Sequence, residues 1–309
     1  MYNEFPYVFI IQGEEMKKLY GVITAMTTPF DKNNKVDIGG IQTQVDFLIN
    51  KGVNCLYPLG TTGEMYLMSV EERKLVAETV VKKAAGRVTV YIHCGAMTTE
   101  DTIQLAKHAY EIRADGIGVV TPSFFTANDR AIIQYYVDIA SSIPEDFPMY
   151  LYGIPQCSTN DIKPEVAQEI ANKCKNVIGI KYSYPDVVRI AEYLRINEGR
   201  FSVLMGPDKL FYPGLCMGCD GTVSGCSGPM PEVFVDIYKA YLEGDHEKAR
   251  KAQDKASACV DVLKAGADMG VFKEVLRKRG IVDSYMRKPL LNIEEKDKEA
   301  LWENVSKFL

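Results

Sequence analysis

An eight-stranded (β/α)8 barrel carrying a C-terminal helical extension is the architecture this sequence predicts, on three observations. The chain has 309 residues, 47% of them hydrophobic, enough to bury the core of one α/β barrel or of two domains. Short apolar runs alternate with amphipathic stretches of helical length eight times over. No linker-like break interrupts the alternation. An open doubly wound sheet is the competing architecture. It ordinarily has fewer repeats and needs a nucleotide-binding glycine fingerprint that is absent here.

Taken in order, the candidate strands are residues 22–27, 55–59, 88–93, 116–120, 149–152, 177–181, 202–205 and 221–223. Each is a bounded apolar run. The one at 177–181, Val-Ile-Gly-Ile-Lys, reads as a strand buried on both faces, the kind parallel sheets use. Helical patterns follow at 40–50, 70–85, 99–113, 130–141, 164–173, 186–196, 209–217 and 231–242. Two of these carry start signals: Ser69 and Glu72 have the spacing of a capping box, and Pro164 suits a first helical turn. The barrel so predicted occupies 20–243, and 244–309 reads as a helical appendage with helices around 248–252, 271–279 and 293–308, Pro289 separating the last two. Residues 1–19 read as an N-terminal extension. The apolar run from Pro6 to Ile11 is too short for a secretory core, and Glu4 stands where a signal peptide wants positive charge. Met16 opens a more ordinary beginning.

Composition excludes several classes of function. The net charge is −5 with both signs scattered along the chain, which argues against nucleic acid or an anionic membrane surface as partner. No apolar stretch reaches the roughly 18 residues a membrane helix needs, so a cytoplasmic protein is expected. Without a secretion signal the cysteines at 55, 94, 157, 174, 216, 219, 226 and 259 read as free and structural. Cys216-x-x-Cys219 has half the spacing of a zinc site. No second pair or suitably spaced histidine among His93, His108 and His246 completes it, so no metal is predicted.

In a barrel of this kind chemistry sits on the loops at the C-terminal ends of the strands. The sixth strand ends in Lys181. An isolated lysine is ordinarily solvated, but one held at the end of a buried strand keeps its charge poorly. A neutral amine on a rigid strand is the nucleophile that Schiff-base chemistry with a ketone requires. The second strand runs into Gly60-Thr61-Thr62-Gly63-Glu64, which is either a tight capped turn or a nest of N–H groups for a carboxylate. The fifth ends in Tyr150-Leu151-Tyr152, whose alternation puts both tyrosines on one face with Tyr152 nearer the rim. Gly206 and Asp208 follow the seventh strand, and the eighth runs through Val223 and Ser224. An amine, a phenol, hydroxyls and a carboxylate converging on one rim are hard to explain as packing alone.

Gly60-Thr61-Thr62-Gly63-Glu64, Tyr152-x-x-Pro155, Gly179-Ile180-Lys181 and the closing Arg287-Lys288-Pro289-Leu290-Leu291 together resemble the dihydrodipicolinate synthase / N-acetylneuraminate lyase family, in order and separation, from about Met16 to the C-terminus. The resemblance implies a TIM barrel, usually a homotetramer and otherwise a homodimer, that acts on pyruvate or another small 2-keto acid without a metal or organic cofactor. It implies that Lys181 forms the imine, that Tyr152 moves protons and that Thr61 hydrogen-bonds Tyr152. Thr62, in the turn opened by Gly60, would hold the substrate carboxylate, and the Val223 carbonyl would face the bound keto acid.

Departures from the family pattern bear on the substrate. The synthases carry an arginine where this chain has Cys157, and a tyrosine reaching across the subunit interface where it has Phe124. The sialic acid lyases have Gly-x-Asp-Glu after the seventh strand. Gly206 and Asp208 match that stretch, but Lys209 replaces the glutamate. Ser183 and Ser224 fit the hydroxyl positions of those lyases. Cleavage or dehydration of a 2-keto-3-deoxy sugar acid is therefore the first reading, with Gly206, Asp208 and Ser224 binding its hydroxyls. Condensation of pyruvate with aspartate semialdehyde is the second, and a non-catalytic keto-acid-binding protein the third.

Overall fold

In the computed structural model of the chain, residues 8–11 and 14–309 are described; Pro6 and Tyr7 of the N-terminal apolar run lie outside them. Two short strands, β1 (Val8–Ile11) and β2 (Glu14–Lys17), pair as an antiparallel hairpin ahead of the barrel. Eight further strands are β3 (Gly21–Ala25), β4 (Cys55–Tyr57), β5 (Thr89–His93), β6 (Gly116–Val120), β7 (Met149–Gly153), β8 (Val177–Tyr182), β9 (Ser202–Met205) and β10 (Gly221–Ser224). They are parallel neighbours in sequence order, and β10 pairs back onto β3 to close the ring. Each falls on a candidate strand.

The outer layer is α1 (Ile38–Asn50), α2 (Val70–Ala84), α3 (Thr99–Glu111), α4 (Asp129–Ala140), α5 (Pro155–Ser158), α6 (Pro164–Lys173), α7 (Val187–Tyr193), α8 (Phe211–Met217) and α9 (Pro231–Leu242). The capping box at Ser69 and Glu72 forms in both directions, and Pro164 occupies the first turn of α6. Three details differ from expectation. The short helix α5 follows the Tyr152 strand, and α8 begins only after a 3-10 turn at Asp208–Leu210. Helix α7 stops at Tyr193, and the chain then turns through left-handed backbone at Asn197 (φ 50°) and Glu198 (φ 58°).

Side chains alternate across each strand. Ile23, Cys55, Tyr57, Tyr91, Tyr150, Ile178, Leu204 and Val223 fill the barrel interior, with Met16 and Leu19 packed among them. Intervening residues such as Leu151 and Ile180 join the larger core beneath the helices. The buried Tyr150 phenol is satisfied: its oxygen accepts from Leu19 N–H at 3.3 Å and its hydroxyl donates to Ser202 Oγ at 2.8 Å.

The last segment forms α10 (His246–Val262), α11 (Met269–Lys278) and α12 (Glu295–Val305). Arg279 at the end of α11 grips Glu232 of α9 through two nitrogens at 3.1 and 2.6 Å. Burial alone would raise the Glu232 carboxyl, but Arg279 and Lys51 outweigh it and hold it at about 2. All eight cysteines are free. Among the described residues no cluster of metal-ligating side chains occurs, and no helix is long and apolar enough to cross a membrane.

Candidate active site

Because β7 and β8 pair in parallel register, Tyr152 lies directly opposite Lys181 at the C-terminal end of the barrel. Lys181 is 6% exposed, and its Nζ sits 3.9 Å from the ring centroid of Tyr152 and 5.5 Å from that of Tyr57. Among the described residues no carboxylate pairs with it. The other buried lysine, Lys273 of α11, is ion-paired with Glu64. A buried ammonium needs such a partner. A buried lysine that has none and faces a cavity is the one available for chemistry.

The Tyr152 hydroxyl is 3.3 Å from Thr61 Oγ1, so the turn after β4 orients the phenol. His93, at the end of β5, stands edge-on to the Tyr152 ring with centroids 5.8 Å apart. Its Nδ1–H donates to Leu59 O at 2.9 Å, and its Nε2 accepts from Val120 N–H at 3.3 Å. Burial, and after it the nearby Arg73 charge, pushes the imidazole well below its usual range, which leaves it neutral with this tautomer fixed. The sequence offers no zinc partner for His93 and assigns it no part in the site. Its place at a strand's C-terminal end was the available signal.

A cavity of about 800 Å³ opens at this rim, and Thr61, Thr62, Tyr152, Lys181, Gly206, Asp208 and Val223 share its walls. Thr62 comes so close to the end of β10 that a Cβ on Gly225 would lie 2.9 Å from its Oγ1, so a side chain there would displace the Thr62 hydroxyl. Asp208 is half-buried as a residue, but its Oδ1 is covered and has no hydrogen-bond partner. Burial raises its carboxyl, against hydrogen bonds from Ser224 and Cys226. A smaller depression of about 440 Å³ lies around Lys17, Asp115 and Pro148 at the opposite face and gathers no comparable set of groups.

Two candidate residues are not part of the walls. Gly60 closes the turn instead, its carbonyl accepting from Gly63 N–H at 3.0 Å. Ser224 is fully buried, its Oγ accepts from Ser227 N–H at 2.9 Å, and it works against burial in lowering the Asp208 carboxyl. Cys157, on α5, does line the cavity. Burial raises its thiol, and the Lys181 charge pulls the other way. Ser183 is also in the wall. Lys209 reaches the cavity but is paired with Asp261 at 2.5 Å. Phe124 is 75% exposed in the loop after β6. The C-terminal segment is more than the expected appendage: Val260, Lys264, Met269 and Phe272 supply one side of the cavity.

An unpaired amine beside a phenol, itself held by a hydroxyl, suits imine formation with a carbonyl compound followed by proton transfer. The model of the dihydrodipicolinate synthetase family matches residues 18–308. The chain belongs to that family. It is 32% identical over 289 residues to the 4-hydroxy-tetrahydrodipicolinate synthase of Methanocaldococcus jannaschii, covering 94% of this chain and 98% of the relative. Among solved structures of the family it is similar to YagE, a prophage protein of E. coli K12 in complex with pyruvate, with TM-score 0.88, 29% identity and coverage of 94% and 98%. It is likewise similar to a catalytic lysine mutant of the Ruminococcus gnavus sialic acid aldolase, with TM-score 0.89, 29% identity and coverage of 94% and 95%.

Proposed function

We propose that this family member is a class I aldolase whose Lys181 forms an imine with pyruvate or another 2-keto acid. The observation that carries the reading is the buried, unpaired Lys181 amine set against Tyr152 at the base of the cavity. The amine adds to the C2 ketone and water leaves. In the cleavage direction Tyr152 takes the proton of the C4 hydroxyl, the C3–C4 bond breaks, and an aldehyde departs. The electron pair is held as the enamine, which is then protonated at C3, and water releases pyruvate. Thr61 orients the phenol, Thr62 receives the substrate carboxylate, and the Val223 carbonyl faces the keto acid. No organic cofactor or metal is needed for these steps. A homotetramer or homodimer in the cytoplasm belongs to the same reading; sedimentation would measure the assembly.

For the second half of the substrate, a hydroxylated 2-keto-3-deoxy sugar acid is the first choice. It is supported by Asp208, which lines the cavity and whose Oδ1 has no hydrogen-bond partner among the described residues, and by Cys157 in place of a carboxylate-binding arginine. Ser224 acts here through Asp208. Losing a hydrogen-bonding partner of this kind costs on the order of 1–3 kcal/mol, about 5- to 150-fold in kcat/KM. Asp208→Ala should therefore impair pyruvate release from the preferred sugar acid while leaving imine formation with pyruvate nearly intact. The relative named a synthase supports the second reading, condensation with aspartate semialdehyde. Cys157→Arg should add a bidentate carboxylate binder and raise that condensation. Assaying both variants against a panel of 2-keto-3-deoxy acids and aspartate semialdehyde decides the order. Efficient condensation by the wild type, together with indifference to Asp208→Ala, would put the synthase first.

A further inference from the structure

The turn that carries Thr61 and Thr62 is entered and left through strained backbone. Leu59 has φ 68° and Glu64 has φ 59°, left-handed values that a residue with a side chain holds only when its surroundings enforce them. At the first end the neutral His93 donates to Leu59 O. At the second end the anchor comes from the C-terminal extension. The Glu64 carboxylate pairs with Lys273 and accepts from the Arg287 backbone N–H at 3.0 Å. The Lys273 ammonium also donates to Tyr285 O at 2.6 Å and lies 4.6 Å from the Phe30 ring centroid. The Arg287 guanidinium covers the same ring at 4.1 Å and binds both oxygens of Glu72 at 2.7 and 2.9 Å. Glu64 is 4% exposed and Lys273 1%.

We propose that Lys273 and Arg287 are positioning residues for the reaction, holding Glu64 so that the turn presents Thr61 and Thr62 to the substrate. The proposal rests on the keto-acid reading above, in which those two threonines act at the cavity. The line of force is short. Glu64 N–H donates to Thr61 O at 3.1 Å, and Thr61 Oγ1 meets the Tyr152 hydroxyl. A buried ion pair is weak ground for stability, since apolar groups of the same shape often serve as well; what it supplies is a directional hold. The residues named for the active rim thus depend on a helix and tail far away in sequence.

The charge on Lys273 gives the hold a pH dependence. Burial lowers its ammonium from 10.5 to about 8, against the opposing pull of Glu64 and with a small contribution from Arg287; Glu274, next to it on α11, is paired with Arg277. As pH rises through about 8 the cation facing Glu64 is lost. Stability does not fall with it. Between about 8 and 10.5 the unfolded chain carries more protons at this lysine than the folded one, so this group's contribution to stability rises with pH. A weakening of the site above pH 8 with no loss of stability would separate positioning from simple structural support.

The test is borohydride trapping of pyruvate on Lys181, which needs no knowledge of the second substrate. It compares the wild type with the double variant Glu64→Gln, Lys273→Met, in which neutral groups of similar size replace the pair. The concentration of pyruvate giving half-maximal trapping should rise about 10- to 100-fold, the scale on which small misplacements act, while the melting temperature changes little. The wild type's advantage should shrink as pH passes about 8. Should the double variant fail to fold, Arg287→Met decides, with an expected rise of about tenfold. Unchanged half-saturation at every pH in a folded variant would overturn the proposal alone. An absence of adduct in the wild type would overturn the keto-acid reading and the proposal with it.

Discussion

Lys181→Ala should abolish turnover, a fall of at least about four orders of magnitude, because the step removed is the covalent one on which every later step depends. Removing the amine leaves no atom to bond C2, and neither Tyr152 nor Thr61 can replace it as an electron sink. The variant should remain folded. Lys181 has no ion-pair partner among the described residues, so truncation strands no buried counter-charge, and a methyl group sits readily in an interior otherwise built of apolar side chains and tyrosines. Steady-state assay alongside a melting curve makes the check. Residual turnover within tenfold of wild type would remove Lys181 from the chemistry.

Tyr152→Phe should lower turnover by about two to four orders of magnitude, the usual worth of a positioned acid–base group. The ring would stay where it is, since the packing around it comes from Met65, Val120 and Ile154 and from the edge of His93. Only the hydroxyl 3.3 Å from Thr61 Oγ1 is lost. Imine formation should also slow, because the same phenol serves the dehydration of the carbinolamine. A variant with nearly normal turnover would return Tyr152 to a packing role.

How far these residues could be read from sequence follows from which signals are local. The eight strands were legible because each is a bounded apolar run, and the pairing of Tyr152 with Lys181 follows once both runs end at the same rim. Alternation also separated Tyr152 from Leu151 correctly. The same rule bears on β10. Val223 and Ser224 are consecutive and cannot both face the cavity, and it is Val223 that does. Lys273 carried no warning, because a lysine in an amphipathic helix looks solvated until the partner that buries it, Glu64, is brought in from the other end of the chain. The wall formed by Val260, Met269 and Phe272 was hidden for the same reason: its apolar residues serve a helix pattern equally well whether they pack on the barrel or line its mouth.

The central claim is the imine at Lys181. Incubation with pyruvate and borohydride, followed by proteolysis and peptide mass measurement, reads it directly. The expected result is a reduced three-carbon adduct on the peptide containing Lys181, absent from Lys181→Ala. Wild-type protein that stays unmodified, or an adduct placed on another lysine such as Lys209 or Lys264 at the mouth of the cavity, would contradict it.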